Sequence, residues 1–303
     1  MATLSPSFFE LLEAKEMDVF FKTFTQIPLL YPQIFFNNTS TKAYEERIDI
    51  AALGTFATKP EGTPVAFDDP VQGAAIRTAH QTFALGWRAS MEMMEDDQFS
   101  IMSQMSGDLG DSARDHQERL AWGLINSGFA TTTYTGLGGD ALFTASHHRL
   151  RTGTGSQSNI LSPAVALSAT GIEDMMVLAD TTTSLEGRFI QLNPTMLLIP
   201  PALQHTAFEL LQTEHKVDSA DNNRNTVVAS RSGLKPVEVP YLTSTTNWYM
   251  MSAPRKDGIV WNSRKKLNFS RSQDSETFDQ KFYGHYRASV MFSEWRGFFG
   301  SAA

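Results

Sequence analysis

The sequence predicts an α+β protein. Three observations lead there. Helical and strand periodicities are mixed along the chain without the regular alternation of a doubly wound sheet. A buried strand, MLLI, runs through Pro200 and Pro201 directly into an amphipathic helix. Two extended stretches, YEERIDIAAL and AIRTAHQTFALGW, flank a segment rich in Pro and Gly and read as the arms of a long hairpin.

Composition narrows the function classes. The 303 residues allow one elaborate domain or two ordinary ones. At 41% hydrophobic residues the chain can build a core, and at 19% charged residues it is poorer in charge than most. A net charge of −8 lowers the expectation of a sequence-reading nucleic-acid binder. The absence of cysteine excludes a disulfide scaffold, a thiolate nucleophile and a Cys-ligated metal. No apolar run approaches the length of a membrane span, and MATLSPSFFELLEAKE lacks the basic flank of a secretory signal. The expected setting is therefore cytosol-like, or reached by a route other than secretion.

From the N-terminal side, Phe8, Phe9, Leu11 and Leu12 share a helical face, and a second group, Phe20, Phe21, Phe24, Ile27 and Leu30, is interrupted by Pro28 and Pro32. The segment reads either as a helix docked on the core or as an arm lying on another subunit. The hairpin follows, with KPEGTP as its turn chemistry. A two-stranded ribbon is marginal by itself, so this one needs a partner surface. Residues 90–129 carry Met91, Met94, Ile101, Met102 and Met105, then Leu109, Ala113, Leu120 and Leu124, at helical spacing. Ser90 and Asp111 are candidate N-caps and Gly128 a candidate stop, giving one helix or two with a break near SGDLG. The methionines read as core packing. Beyond them come a loop-rich stretch with one short strand, ALF, a helix over about 164–180, and the strand–Pro-Pro–helix unit with Leu203, Ala207, Leu210 and Leu211 facing inward. A polar loop, DSADNNRNTVVASRSG, precedes the strands KPVEVPYL and TNWYMMSAP. KKLNFSRS and FYGHYRASVMF are the last two long strands, before EWRGFFGSAA. No repeat, low-complexity tract or clean linker divides the chain.

Candidate chemistry is sparse. His147 and His148 suggest a metal, but neighbours on a strand point to opposite faces and no carboxylate follows at ligand spacing. GLGGD, residues 136–140, lacks the strand–turn–helix setting of a phosphate loop and reads as a turn. Glu92, Glu95, Asp96 and Asp97 read as a solvated acidic face. SRKKLNFSR, residues 263–271, is a basic patch able to touch phosphates without reading sequence, or to pair with acidic neighbours. No catalytic, cofactor or metal site is expected. The features that stand out concern contact between molecules.

The order of these elements resembles the major capsid proteins of tailed bacteriophages, with their HK-ninety-seven-type fold, and most of all the major head subunit of Mu-like phages. DALFTASHHRL, NPTMLLIPPALQHTAFELLQTE, DNNRNTV and FYGHYRASVMFSEWRGFFGSAA carry the resemblance, which runs from about residue 40 onward. It implies an N-terminal arm over 1–43, an extended hairpin loop over 44–89, a peripheral domain from 90–162 and 254–303 with the long helix as its spine, and an axial domain over 163–253. It also implies a structural protein of the virion. Such a subunit assembles with itself in the host cytoplasm into hexamers and pentamers of an icosahedral head around double-stranded DNA, and contacts a portal and a separate scaffold.

In that setting Phe8, Phe9, Phe20, Phe21, Phe56, Lys59, Glu61 and Phe67 are the expected inter-subunit contacts. Some family members cross-link a hairpin Lys to a neighbour's Asn. Lys59 sits at the expected tip, yet no Asn and Glu match the required positions, so a charged turn is the preferred reading. The alternatives are a hydrolase using His147 or His148 with a nearby carboxylate, and a tail or decoration protein.

Overall fold

The computed structural model describes residues 6–96, 100–147, 156–213 and 233–303, with the side chains of 6–13, Met91 and Glu95 left aside. The expected polar loop, apart from Gly233, and with it all of DNNRNTV, therefore lies outside the described residues, as do Asp97 and His148. Five α-helices are described: α1 (Pro6–Gln26), α2 (Met91–Glu95), α3 (Ile101–Asn126), α4 (Ala169–Asp180) and α5 (Gln204–Gln212). The strands are β1 (Phe36–Thr39), β2 (Tyr44–Ala51), β3 (Val71–Ala79), β4 (Gln81–Ala89), β5 (Met196–Ile199), β6 (Lys235–Glu238), β7 (Trp248–Met251), β8 (Ile259–Gln273), β9 (Gln280–Phe292) and β10 (Phe298–Ser301). They form a four-stranded sheet in the order β1-β8-β9-β4, a second in the order β10-β7-β5-β6, and a separate β2-β3 ribbon.

The first sheet carries the spine. Its β9 alternates Phe282, Gly284 and Tyr286 toward α3 with Tyr283, His285 and Arg287 on the other face, as the period of a strand requires. α3 runs without a break through SGDLG, so of the two alternatives the undivided helix holds there, and the Asp111 cap is overturned. The reason is packing. A Cβ on Gly110 would stand 2.5 Å from the Phe20 carbonyl oxygen, and one on Gly107 3.3 Å from the Thr23 hydroxyl. The glycines let α1 lie against the spine, and they cost the helix only about 1 kcal/mol each. The Ser90 cap is observed: its side chain accepts the Met93 amide. Met102 is buried and Met94 is partly buried against the same cluster, while Met105 is exposed, so only part of the methionine series is core.

α1 corrects the arm reading. Phe20 is fully buried in its own subunit, its ring 5.0 Å from Phe269 and edge-on to Phe21 at 5.0 Å. Burying one such ring is worth about 1.5–3 kcal/mol. Phe20 is thus a core residue rather than an inter-subunit contact, and Phe21 packs against the same cluster. The linker after α1 is pinned as well. Glu118 of α3, itself buried, accepts the Leu30 amide on one oxygen and Trp122 Nε1 at 2.7 Å on the other. Burial pushes the Glu118 carboxyl up, and those hydrogen bonds oppose the shift. Tyr31 then packs against Trp261, the ring centroids 4.5 Å apart and the planes tilted by 32°, and carries the chain into β1, parallel to β8.

The second sheet packs α4 and α5 around Leu197, Ile199, Trp248, Met250 and Phe299. α4 begins at 169 rather than 164 because Ser168 caps it, accepting the Gly171 amide. The strand–Pro-Pro–helix unit is as expected, with a 3-10 turn over Pro201–Leu203 leading into α5. ALF is buried but forms no strand; its backbone binds Gly128 and Asn159 instead. β10 pairs with β7, so the segment 254–303 is shared between the two sheets rather than kept in the first.

Candidate assembly surface

The β2–β3 ribbon is the least covered part of the described residues. β2 and β3 pair antiparallel from Tyr44↔Ala79 to Ala51↔Val71, with an irregularity at Ile48/Ile50. Beyond Ala51 the ladder stops and the two arms continue to a turn, where the Thr63 amide donates to the Pro60 carbonyl and Gly62 takes a positive φ. Gly54 donates to Asp68 Oδ2 at 2.7 Å, a cross-arm tie where strand pairing has ended. The expected return strand is two strands, hinged at His80.

The base of the ribbon is held by its own subunit. Arg47 pairs with Asp257 at 3.4 Å, and Glu186, from the turn after α4, accepts the Ala52 amide at 2.6 Å. Arg77 lies over the Tyr44 ring at 3.8 Å. GLGGD acts as the expected turn, with Gly138 at φ 81, and it braces β2 and β3 from the side. At the hinge His80 is buried between two hydroxyls, Ser289 Oγ at 2.9 Å and Ser40 Oγ at 3.3 Å, and burial lowers its pKa. Both roots of the ribbon are thereby tied to β9.

Past that base, cover is lacking. Phe56 and Phe67 are 108% and 94% exposed, as open as in an extended peptide, and Ile50, Leu53 and Val65 are more than half exposed. Lys59 and Glu61 are exposed beside them. Such a group of apolar side chains on a thin ribbon marks an interaction surface. Of the expected contacts, Phe56, Lys59, Glu61 and Phe67 share this ribbon. Phe20 and Phe21 are elsewhere, and Phe8 and Phe9 belong to α1 with side chains outside the described residues.

His147 has a structural task. It is 2% exposed, its ring stacked on Trp295 at 4.0 Å, and its Nε2 donates to Asn159 Oδ1 at 2.9 Å. That bond sets the Nε2–H tautomer and leaves Nδ1 3.9 Å from Asp140, too far to share a proton. Burial brings its pKa down to about 4, so the ring is neutral. Asn159, fully buried, also accepts the Thr144 amide and donates to the carbonyls of Leu142 and Phe298. Next to it Arg296 lies over Trp295 and binds Glu294, Gln157 and the Thr183 carbonyl. Sequence reasoning missed His80, Asn159 and Arg296. Nothing in their local sequence marked them, since their partners lie far away along the chain.

The profile of the phage capsid protein family matches residues 72–300. The chain belongs to the phage capsid protein family. The match takes in the return arm of the ribbon, the spine and both sheets except β1, so this capsid protein carries the phage major capsid fold. Solved structures agree on the fold. The procapsid protein of bacteriophage JBD30 is 15% identical, with TM-score 0.53, covering 99% of this chain and 76% of that one. The virus-like particle from Pyrococcus furiosus is 9% identical, TM-score 0.53, covering 95% and 98%. The capsid of Myoviridae phage XM1 is 11% identical, TM-score 0.55, covering 87% and 88%. No curated protein sequence matches the chain.

Proposed function

We propose that this capsid protein is the repeating subunit of an icosahedral head, forming hexamers and pentamers in which each ribbon lies on a neighbouring copy. The observation that carries this is the exposure of Phe56 and Phe67 beyond a ribbon whose base is firmly tied. A donated and received ribbon is a head-to-tail contact, which closes into rings. Many weak contacts of this kind act together in a shell. On this reading residues 44–89 are the extended loop, 90–162 with most of 254–303 the peripheral domain, and 163–253 the axial domain at the capsomer centre. Residues 1–43 are the N-terminal arm, of which α1 docks on the spine instead of reaching outward. The shell encloses double-stranded DNA, meets a portal and a separate scaffold, and assembles in the host cytoplasm. It is akin to the head subunits of Mu-like phages. It performs no catalysis. Lys59 serves as a charged turn residue, and a denaturing gel of intact particles showing only monomer supports that against a cross-link.

The test is negative-stain microscopy and size exclusion of the expressed chain beside Phe56→Ser/Phe67→Ser. The wild type gives capsomers or shells. The double variant keeps its thermal transition, since exposed side chains add little to monomer stability, and its association weakens by tenfold or more, in line with about 1.5–3 kcal/mol per buried ring. Unchanged assembly in the variant refutes the ribbon as the contact.

A further inference from the structure

The face of the first sheet turned away from α3 has a composition unlike the rest of the chain. Strand register places its side chains in four rungs across β4, β9 and β8: Arg88, Lys281 and Ser272; Gly86, Tyr283 and Ser270; Ala84, His285 and Asn268; Thr82, Arg287 and Lys265. No carboxylate occupies any of these positions, although the chain as a whole has a net charge of −8. Lys265 and His285 touch, Nζ to Nε2 at 2.6 Å, which confirms that the bulged β8 presents Lys265 on this side. Among the described residues, the ion pair recorded for this face is Lys281 with Asp274, at the end of the sheet.

The cations fall at both ends, with small side chains and one exposed ring, Tyr283, between them. The two end rungs are separated by six residues of strand, about 20 Å at the usual rise. These positions form a floor that is cationic at both ends and carries no large aliphatic side chain. It suits a stiff polyanion and not the neighbour's ribbon, whose exposed Phe56 and Phe67 need an apolar bed.

We infer that this sheet face is a sequence-independent contact for the phosphate backbone of duplex DNA. The assignment rests on the reading of the protein as a DNA-enclosing capsid subunit, and it adds which face meets the nucleic acid. The positive charges would neutralise phosphates and release counterions. Binding would therefore be weak, indifferent to sequence and steeply dependent on salt.

The experiment is fluorescence anisotropy of a labelled random-sequence duplex with the full chain, across a salt series. Arg88→Gln/Lys265→Gln is the variant, and Lys15→Gln/Lys22→Gln on α1 the control. The double variant is expected to bind about tenfold more weakly at low salt, with the slope of log K against log salt flatter by about 2. The control matches the wild type. Equal affinity and slope in the sheet variant overturn the proposal. So does displacement of the duplex by a peptide of residues 52–70 that binds the wild type but not the sheet variant, since that assigns the face to the neighbouring ribbon. Microscopy of the same samples separates the two readings: salt-sensitive duplex binding without capsomers counts against the capsid role alone, and normal shells without duplex binding count against this face alone.

Discussion

Replacing Gly110 by alanine tests the close approach of α1 to the spine, and Gly123→Ala in the same helix is its natural comparison. Both changes gain about 1 kcal/mol of helix propensity. At Gly123 the nearest atom to the new methyl is the Tyr134 hydroxyl at 3.9 Å, an ordinary contact, so that gain should appear in full. At Gly110 the methyl meets the Phe20 carbonyl oxygen at 2.5 Å, with further backbone atoms of α1 at 3.3 Å. Backbone cannot rotate aside as a flexible side chain can, so α1 must shift by most of an ångström. The shift drags Phe20 out of register with Phe269 and Phe282. Overpacking of this kind costs about 1–3 kcal/mol. The two variants should therefore differ by about 1–3 kcal/mol, Gly123→Ala above the wild type and Gly110→Ala at or below it. Urea unfolding of the unassembled subunit, followed by tryptophan fluorescence, reads the difference as a shift of midpoint at constant slope. If Gly110→Ala proves as stabilising as Gly123→Ala, then α1 does not rest on the spine and the core assignment of Phe20 fails.

Two further outcomes follow from the buried polar groups. His147 has a folded-state pKa of about 4 against 6.5 for the free side chain; the unfolded chain takes up a proton that the folded one refuses, so stability is full above about pH 6.5 and is lost as pH falls toward 4, by roughly 3 kcal/mol. His147→Gln should flatten that part of a stability-versus-pH curve, and a curve as steep as the wild type's would refute the assignment. Asn159→Ala leaves the Thr144 amide, His147 Nε2 and two carbonyls without their partner. A loss of about 3–5 kcal/mol is expected from several buried groups left unsatisfied, and a loss under about 1 kcal/mol in urea unfolding would mean that water replaces the side chain.

What could be read from the sequence was what local chemistry decides. Ser90 caps because a hydroxyl there has an orphan amide to bind, and MLLI-Pro-Pro-helix is fixed by the missing amides of two prolines. The ribbon was visible because strand arms flank a turn that no core could absorb. The misreadings all depended on a surface far away in sequence. Gly110 looks like a break until Phe20 is brought against it. Phe20 itself has the same periodicity whether its partner is α3 or another subunit. ALF has strand composition, but Gly128 and Asn159 claim its backbone first. Of the candidate assembly surface, Phe56, Lys59, Glu61 and Phe67 were legible, because their isolation is local. The ties at the ribbon's base, Glu186 to Ala52 and His80 to Ser40 and Ser289, join segments too distant to be paired by inspection.

The two sheets share an awkward dependence on translation order. β1 and β4 must wait for β8 and β9, and β5, β6 and β7 remain one strand short until β10 leaves the ribosome. A nascent chain therefore holds its ribbon long before it has a finished body to brace it. Completion of the last strand acts as a timer, so that copies made side by side become competent partners only after each has closed both of its own sheets.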